Sequence, residues 1–349
     1  MARTQAPRDG STKQVLFDKA SWRSWLKRAI TAVPASWLRA YWARREPVIL
    51  MYHGVLSDDE PHWLGSEHNH LPLDLFVAQL RTLASMCRVI ALSEMIDGLR
   101  RGENLAGTVA ITFDDGFRNN VTRAAPALLD HHLPATFFLA TGYVDTDRCF
   151  WTDQMDRAVR TLVGSRAFVE VAGQRIELGS AAQASVGFLA AKRALKRLPL
   201  SQAEALVQEL TSMASNLGLP PPGPDEKLMS WDEARSLASA GFEIGAHTVN
   251  HPILSRLPFE QAREEILESR RHIENEIGRC SPVFCYPNGR KEDRTPAIIE
   301  LCRSHFQAAL STNFGSARSS EMFELRRIGV TTVGRPEGLT WQLLKAGAH

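Results

Sequence analysis

A repeated alternation constrains this chain most: short runs that are apolar on both faces, each followed by a stretch of helical periodicity. Pro47–Tyr52, Arg88–Leu92, Gly107–Phe113, Ala135–Thr141, Phe242–Gly245, Val283–Tyr286, Gln307–Leu310 and Arg326–Thr332 read as strands. A strand with a solvated face alternates polar and apolar residues, whereas these do not. Between them, Phe76–Leu83, Ser93–Leu99, Asn119–His131, Trp231–Gly241, Pro258–Ile277 and Pro296–Ser304 have helical spacing or caps. Strands buried on both sides and separated by helices predict a parallel sheet or barrel wrapped in helices.

Two regions fall outside that rhythm. Residues from about 152 to 226 hold a hairpin-like Phe168–Leu178 and an Ala/Leu/Lys-rich helical stretch, Ala182–Leu217, broken at Leu198-Pro199. They end in Leu219-Pro-Pro-Pro-Gly-Pro224, a stiff linker. Residues 1–46 carry ten Lys/Arg against three Asp/Glu in a chain whose formal net charge is only +2, so the body is mildly acidic and does not resemble a nucleic-acid binder. Trp22, Trp25, Trp37 and Trp42 lie among these basic residues. Residues 21–45 would suit a helix at the surface of an anionic membrane, or a helix pair packing its aromatics on the body. The expected organisation is a basic Trp-rich arm over 1–46 and one barrel-like domain over 47–349, with an insert at about 152–226. The five cysteines are scattered, without Cys-x-x-Cys spacing, and no run is apolar enough to span a bilayer, which together point to the cytoplasm.

The chemistry concentrates at strand ends. Gly107–Phe113 runs into Asp114-Asp115-Gly116, placing two adjacent carboxylates where a buried strand meets a turn. Such a pair is costly unless a cation offsets the repulsion, in which case one carboxylate can ligate and the other can act as a base. Later, Gly245-Ala-His247-Thr-Val-Asn-His251 brings two imidazoles four residues apart after a strand. A helical turn would set both on one face, where two His grip one cation. With one Asp added, a His₂Asp set leaves coordination positions open for water and substrate, as catalytic zinc sites do.

These motifs resemble the polysaccharide deacetylases of carbohydrate esterase family 4, the NodB-homology fold. The resemblance rests on Thr112-Phe-Asp-Asp-Gly116, His247-Thr-Val-Asn-His251 and, more loosely, Phe284-Cys-Tyr-Pro-Asn-Gly289, over about residues 47–335. It implies an α/β fold, a distorted (β/α)7-type barrel, that removes N-acetyl groups from amino sugars of a glycan or glycan precursor on one divalent metal. It implies Asp114 as general base, Asp115, His247 and His251 as ligands, and Thr248 as a loop-orienting residue. The donor set suits Zn²⁺ and also Co²⁺, Ni²⁺ or Mn²⁺. Backbone N–H groups near Tyr286 are expected to face the oxyanion.

The chain departs from the family pattern in two places. Phe284 stands where many members have Arg, and Leu325-Arg-Arg327-Ile328 lacks the His that usually serves as acid. His53, at the end of the first strand, is the replacement acid candidate, since the first and last strands neighbour each other in a closed barrel. Tyr286, Pro287, Trp151 and Arg327 are candidate substrate-binding residues. His62, His68 and His70 would lie in a loop over the barrel mouth, whereas His131, His132, His272 and His305 read as structural or solvated. Two alternatives remain at this stage: a deformylase or other small-amide hydrolase on the same site, or a catalytically silent glycan-binding protein.

Overall fold

The computed structural model describes residues 40–57, 69–318, 321–330, 338–340 and 342–343. In chain order the strands are β1 (Val48–Tyr52), β2 (Gly54–Leu56), β3 (His70–Pro72), β4 (Arg88–Val89), β5 (Thr108–Phe113), β6 (Thr136–Leu139), β7 (Phe168–Val171), β8 (Gln174–Glu177), β9 (Glu243–Ala246), β10 (Val283–Cys285), β11 (Ala308–Leu310) and β12 (Ile328–Gly329). The α-helices are α1 (Leu73–Met86), α2 (Leu92–Arg101), α3 (Ala125–Asp130), α4 (Trp151–Leu162), α5 (Ala181–Leu195), α6 (Leu200–Ser215), α7 (Trp231–Ser239), α8 (Phe259–Ile277) and α9 (Pro296–His305).

The main sheet is parallel throughout, in the order β11-β10-β9-β6-β5-β1-β12, with β4 also on β5. Its two edges approach each other through the last segment of chain. Leu325 bridges Leu310 in parallel, Ser311 N–H donates to the Leu325 carbonyl at 2.8 Å, and three residues on Ile328 pairs with Leu50 of β1. The result is the helix-wrapped parallel barrel that the strand pattern predicts, distorted as the family resemblance implies.

Alternation within each strand divides the core in two. Outward positions of β1, β5 and β6 form an aromatic ladder. Tyr52 stacks on Phe113 (centroids 5.3 Å apart, planes at 24°), and Phe113 stacks on Phe137 (4.9 Å, 22°), following the register Tyr52↔Phe113↔Phe137. Helices α1, α3, α7, α8 and α9 cover that face. The other positions, including Ile49, Ala110, Phe138, Val283, Cys285 and Leu310, form a second cluster. Continuing that alternation past the strand ends brings His53, Asp114 and His247 to the mouth.

The region between β6 and β9 has an apolar cluster of its own, in which Met155, Val159, Ile176, Phe188, Val207 and Leu210 are buried. It is built from α4, the β7–β8 hairpin, α5 and α6. At its end a 3₁₀ turn over Pro224–Glu226 buries two carboxylates, and Glu226 pairs with the buried Arg157 while Asp225 pairs with Arg123.

The N-terminal arm lies outside the described residues up to residue 39, so Trp22, Trp25, Trp37 and most of the candidate membrane segment do too. Trp42 is fully buried, and its indole N–H donates to the Gly107 carbonyl at 3.0 Å. Gly107 has a φ of +74°, and a Cβ there would sit 2.8 Å from Ala43 Cα, so the contact requires glycine. Among the described residues no helix is long and apolar enough to cross a membrane.

Several boundaries differ from the sequence pattern. The expected strand over Arg88–Leu92 is only two residues long, because α2 begins at Leu92. The helix expected over Asn119–His131 opens as a π turn, Asn120–Ala124, before α3. His70 is not in a loop over the mouth: it is buried in β3 with its ring 4.4 Å from that of Phe117. His62 and His68 lie outside the described residues.

Candidate metal centre

Three ligand-type side chains converge at the mouth. Asp115 Oδ1 lies 3.5 Å from His247 Nε2 and 3.3 Å from His251 Nε2. Asp115 leaves β5 with φ +78°, and Gly116 follows at +82°, so the turn swings the second carboxylate away from the first. His247 is 2% exposed, and its Nδ1 lies 2.7 Å from the Cys285 carbonyl oxygen. That contact places a proton on Nδ1 and turns Nε2 toward Asp115 and His251, the arrangement in which outer hydrogen bonds fix ligating imidazoles, with a cation taking the place of any Nε2 proton.

The two imidazoles do not meet on a helical turn. Residues 247–251 form an irregular loop after β9, in which Thr248 (φ +66°) and His251 (φ +56°) both adopt the left-handed region. Neither is glycine, so tertiary bonds must hold the strain. Thr248 Oγ1 accepts the His251 N–H at 3.0 Å and donates to the His247 carbonyl at 2.5 Å. Glu265 of α8 accepts from the Val249 N–H at 2.9 Å, the Asn250 N–H at 2.7 Å and the Asn250 side-chain amide at 2.8 Å.

The donor set fits a divalent cation. Burial disfavours a charged imidazole at both positions. At His251 it prevails and holds the ring down to about 3, whereas at His247 the neighbouring Cys285, Asp115 and Asp114 outweigh it and raise the pKa. Burial also opposes ionisation of Asp115, but the two imidazoles hold its carboxyl well below the usual range. An anionic oxygen and two imidazole nitrogens around one point are the ligands that Zn²⁺ and its neighbours prefer.

Asp114 stands beside this triangle, its carboxylate within 4.8 Å of ligand atoms of His247 and Cys285, and it is paired with Arg327. Arg327 donates to Asp114 Oδ1 and Oδ2 at 2.7 Å each, to Thr112 Oγ1 at 3.2 Å, to the Ser311 carbonyl at 2.9 Å and to Cys285 Sγ at 3.2 Å. All five guanidinium N–H groups are thereby used. Desolvation pushes the Asp114 pKa up, but the Arg327 charge and hydrogen bonds outweigh it and leave it lowered.

His53 borders the same cavity of about 390 Å³ as Asp114, Asp115, His247, His251 and Trp151. Its main-chain carbonyl accepts from the Asn120 amide at 2.6 Å, so the π turn tethers the end of β1. Burial lowers the His53 pKa, against the pull of Asp115 and Asp114.

Three expected substrate contacts change with the structure. Arg327 is fully buried with no donor to spare, because the closing strand delivers it inside the barrel rather than to the rim. Tyr286 is 1% exposed and packs between Phe284 (centroids 5.3 Å) and the Arg294 guanidinium (5.2 Å), and its N–H donates to the Leu310 carbonyl. Pro287 is buried behind Asn288, which lines the cavity in its place. Glu265, Asn120 and Asn288 carry no mark in the sequence that separates them from ordinary polar residues.

The fold and site define a helix-wrapped barrel with a strand-end His₂Asp set, and comparison with known proteins gives the family. The chain belongs to the polysaccharide deacetylase family, whose model matches residues 101–303. The YxkH protein of Bacillus subtilis (strain 168), whose own name places it provisionally among polysaccharide deacetylases, is 27% identical over 101 residues. That match spans 29% of this chain and 36% of the relative's length. Among solved structures, the deacetylase PplD of Streptococcus pyogenes in complex with acetate superposes with a TM-score of 0.54 at 18% identity, covering 86% of this chain and 98% of that one. IcaB from Ammonifex degensii gives 0.53 at 17% identity, covering 86% and 97%. These likenesses establish the shared fold.

Proposed function

We propose that this chain is a metal-dependent hydrolase that removes N-acetyl groups from an amino sugar of a glycan or glycan precursor. The observation that carries this reading is the placement of Asp114, held by Arg327, next to the Asp115–His247–His251 set in one cavity. Asp115, His247 and His251 would hold the cation, Zn²⁺ first, which would polarise the acetyl carbonyl and acidify water.

The chain's own groups then divide the proton work. Asp114 takes the proton of the attacking water on a carboxylate oxygen. Arg327 fixes the plane of that carboxylate and keeps it anionic in the resting state; Oδ1 also accepts from the Cys285 thiol at 3.4 Å, which leaves Oδ2 with the lone pair for the incoming proton. His53, its main chain held by Asn120, must first take up a proton, which the neighbouring Asp115 and Asp114 favour against burial, and then gives it to the departing amine nitrogen. Trp151 and Phe150 offer an aromatic wall for the sugar ring. The arm over 1–46, the barrel from 47 onward and the insert at about 152–226 form the organisation we assign. Five free cysteines support a cytoplasmic, reducing location.

Metal content measured beside acetate release tests the reading. We expect about one divalent metal per chain, lost in the His247→Ala/His251→Ala double variant, with acetate freed from an N-acetyl amino sugar by the wild type only. Metal-replete wild type that binds no metal would overturn it.

A further inference from the structure

Apart from Asp114 and Asp115, every charged residue lining the cavity is basic: Lys192, Lys196, Arg256 and Arg290. The Asp114 charge is already matched by Arg327. Lys196 donates to the neutral amide oxygen of Asn288 at 2.6 Å. Asp153 and Asp293 act on Lys192 and Lys196 only at a distance, without an ion pair. Among the described residues none of the four forms an ion pair, and Asp115, the nearest acid in the cavity, is shared with the candidate metal site.

That arrangement has a cost. Lys192 lies on α5 and Lys196 is its C-cap, four residues on, so the two sit one turn apart, where like charges destabilise a helix. Both are partly buried, which weakens screening by solvent. Lys196 also acts electrostatically on Asp115 and His251, so the cluster begins beside the candidate metal centre. An anion that joined a group of cations at a cavity wall would relieve their repulsion.

We propose that these four residues form a subsite for a phosphate or diphosphate carried by the substrate, so that the acetamido sugar enters as a glycosyl phosphoester. This rests on the deacetylase reading above and adds the substrate class. A single carboxylate on a polymer is met by one bidentate arginine, whereas two lysines and two arginines match the higher, more diffuse charge of a phosphoester. Leu198, Leu200 and Leu257 border the same cavity, so either a nucleotide or a lipid fits as the carrier beyond the phosphate.

Binding to chelator-treated protein tests the subsite apart from catalysis. Calorimetry would compare N-acetylglucosamine 1-phosphate with neutral N-acetylglucosamine at two salt concentrations. We expect the phosphate to bind at least about tenfold tighter, with the advantage shrinking in high salt and lost in Lys192→Gln/Lys196→Gln. Arg290→Gln, at an exposed side chain, should lose part of it and guards against misfolding. Equal affinity for the two sugars, or an advantage untouched by both variants, would overturn the proposal.

Acetate release from metal-loaded enzyme then separates the carriers. A UDP-linked and a prenyl-diphosphate-linked N-acetyl sugar would be compared with neutral N-acetylglucosamine oligomers. Preference for either phosphoester, lost in the lysine variant, supports the subsite and identifies the carrier. Release from neutral oligomers alone overturns it. Tight phosphate binding with no acetate from any substrate would fail the deacetylase reading and leave the anion subsite standing.

Discussion

Asp114 and Arg327, 213 residues apart in sequence, form a buried bidentate ion pair with both N···O distances at 2.7 Å. One partner ends β5 and the other lies on the segment that closes the barrel between β11 and β12. The barrel's closure and the candidate base are thus the same piece of structure. Removing one partner of a buried pair strands the other charge in a poorly solvated site. Arg327→Met should therefore cost about 3–5 kcal/mol in urea unfolding. Asp114→Leu/Arg327→Met, which removes both charges, should cost less than Arg327→Met alone. Strictly additive losses would show that the pair is not coupled.

The dependence on closure explains what the sequence could and could not disclose. Asp114, Asp115, His247 and His251 stood out because each is polar at the end of an apolar strand, where a surface reading is uneconomical. Arg327 is legible only as a substrate contact, since its partner Asp114 is identified only when the last strand meets the first. An arginine is absent at position 284, yet a guanidinium reaches the centre from 327. The loop at 247–251 departs from the helical turn that its spacing predicts for a related reason: its two left-handed residues are Thr248 and His251, which carry no glycine signal. Glu265 is one of several acids on a charged helix, and only the folded loop distinguishes it from Glu264 or Glu268.

Glu265 leads to a prediction about metal affinity. Its carboxylate gathers three N–H donors of the loop carrying both imidazoles, without approaching the cation set itself. Glu265→Ala should weaken metal binding about 10–100-fold, as loss of an outer hydrogen-bond partner does elsewhere. Glu265→Gln, which keeps one acceptor oxygen, should lose less. Competition against a chromophoric chelator measures both, and unchanged affinity in Glu265→Ala would mean that Thr248 and the Thr141 and Gly142 N–H groups, which donate to the loop's carbonyls, hold it without Glu265.

The aromatic ladder gives a stability prediction independent of the site. Phe113 is fully buried, lies between Tyr52 and Phe137, and meets Phe76 edge-on at 5.8 Å. Phe113→Ala should lose about 3–5 kcal/mol, and Phe113→Leu substantially less, because the leucine refills part of the cavity. Chemical denaturation of both variants checks this. A loss below 1 kcal/mol in the alanine variant, on that same scale, would show that the ladder collapses around the gap.

Lys196 predicts a pH dependence of opposite sign from that of a salt-bridged lysine. Burial, reinforced by Lys192 and Arg290 and opposed by Asp293 and Asp115, lowers its pKa to about 8 from 10.5. Between those values the unfolded chain carries the proton and the folded chain does not. Stability from this group therefore rises with pH across that window, and below about 8 the folded state bears the full penalty of a buried cation. Lys196→Met removes the charge and should be more stable than the wild type at pH 7, by on the order of 1–3 kcal/mol. The gap should narrow as pH rises from about 8 toward 10. Urea midpoints of the two proteins, taken in parallel from pH 7 to 10 without ligand, cancel the lysines they share. Over the same range, wild-type affinity for N-acetylglucosamine 1-phosphate should fall as Lys196 loses its proton. A constant gap between the midpoints would show that Lys196 is solvated like any surface lysine, and a phosphate subsite would then have to stand on Lys192, Arg256 and Arg290.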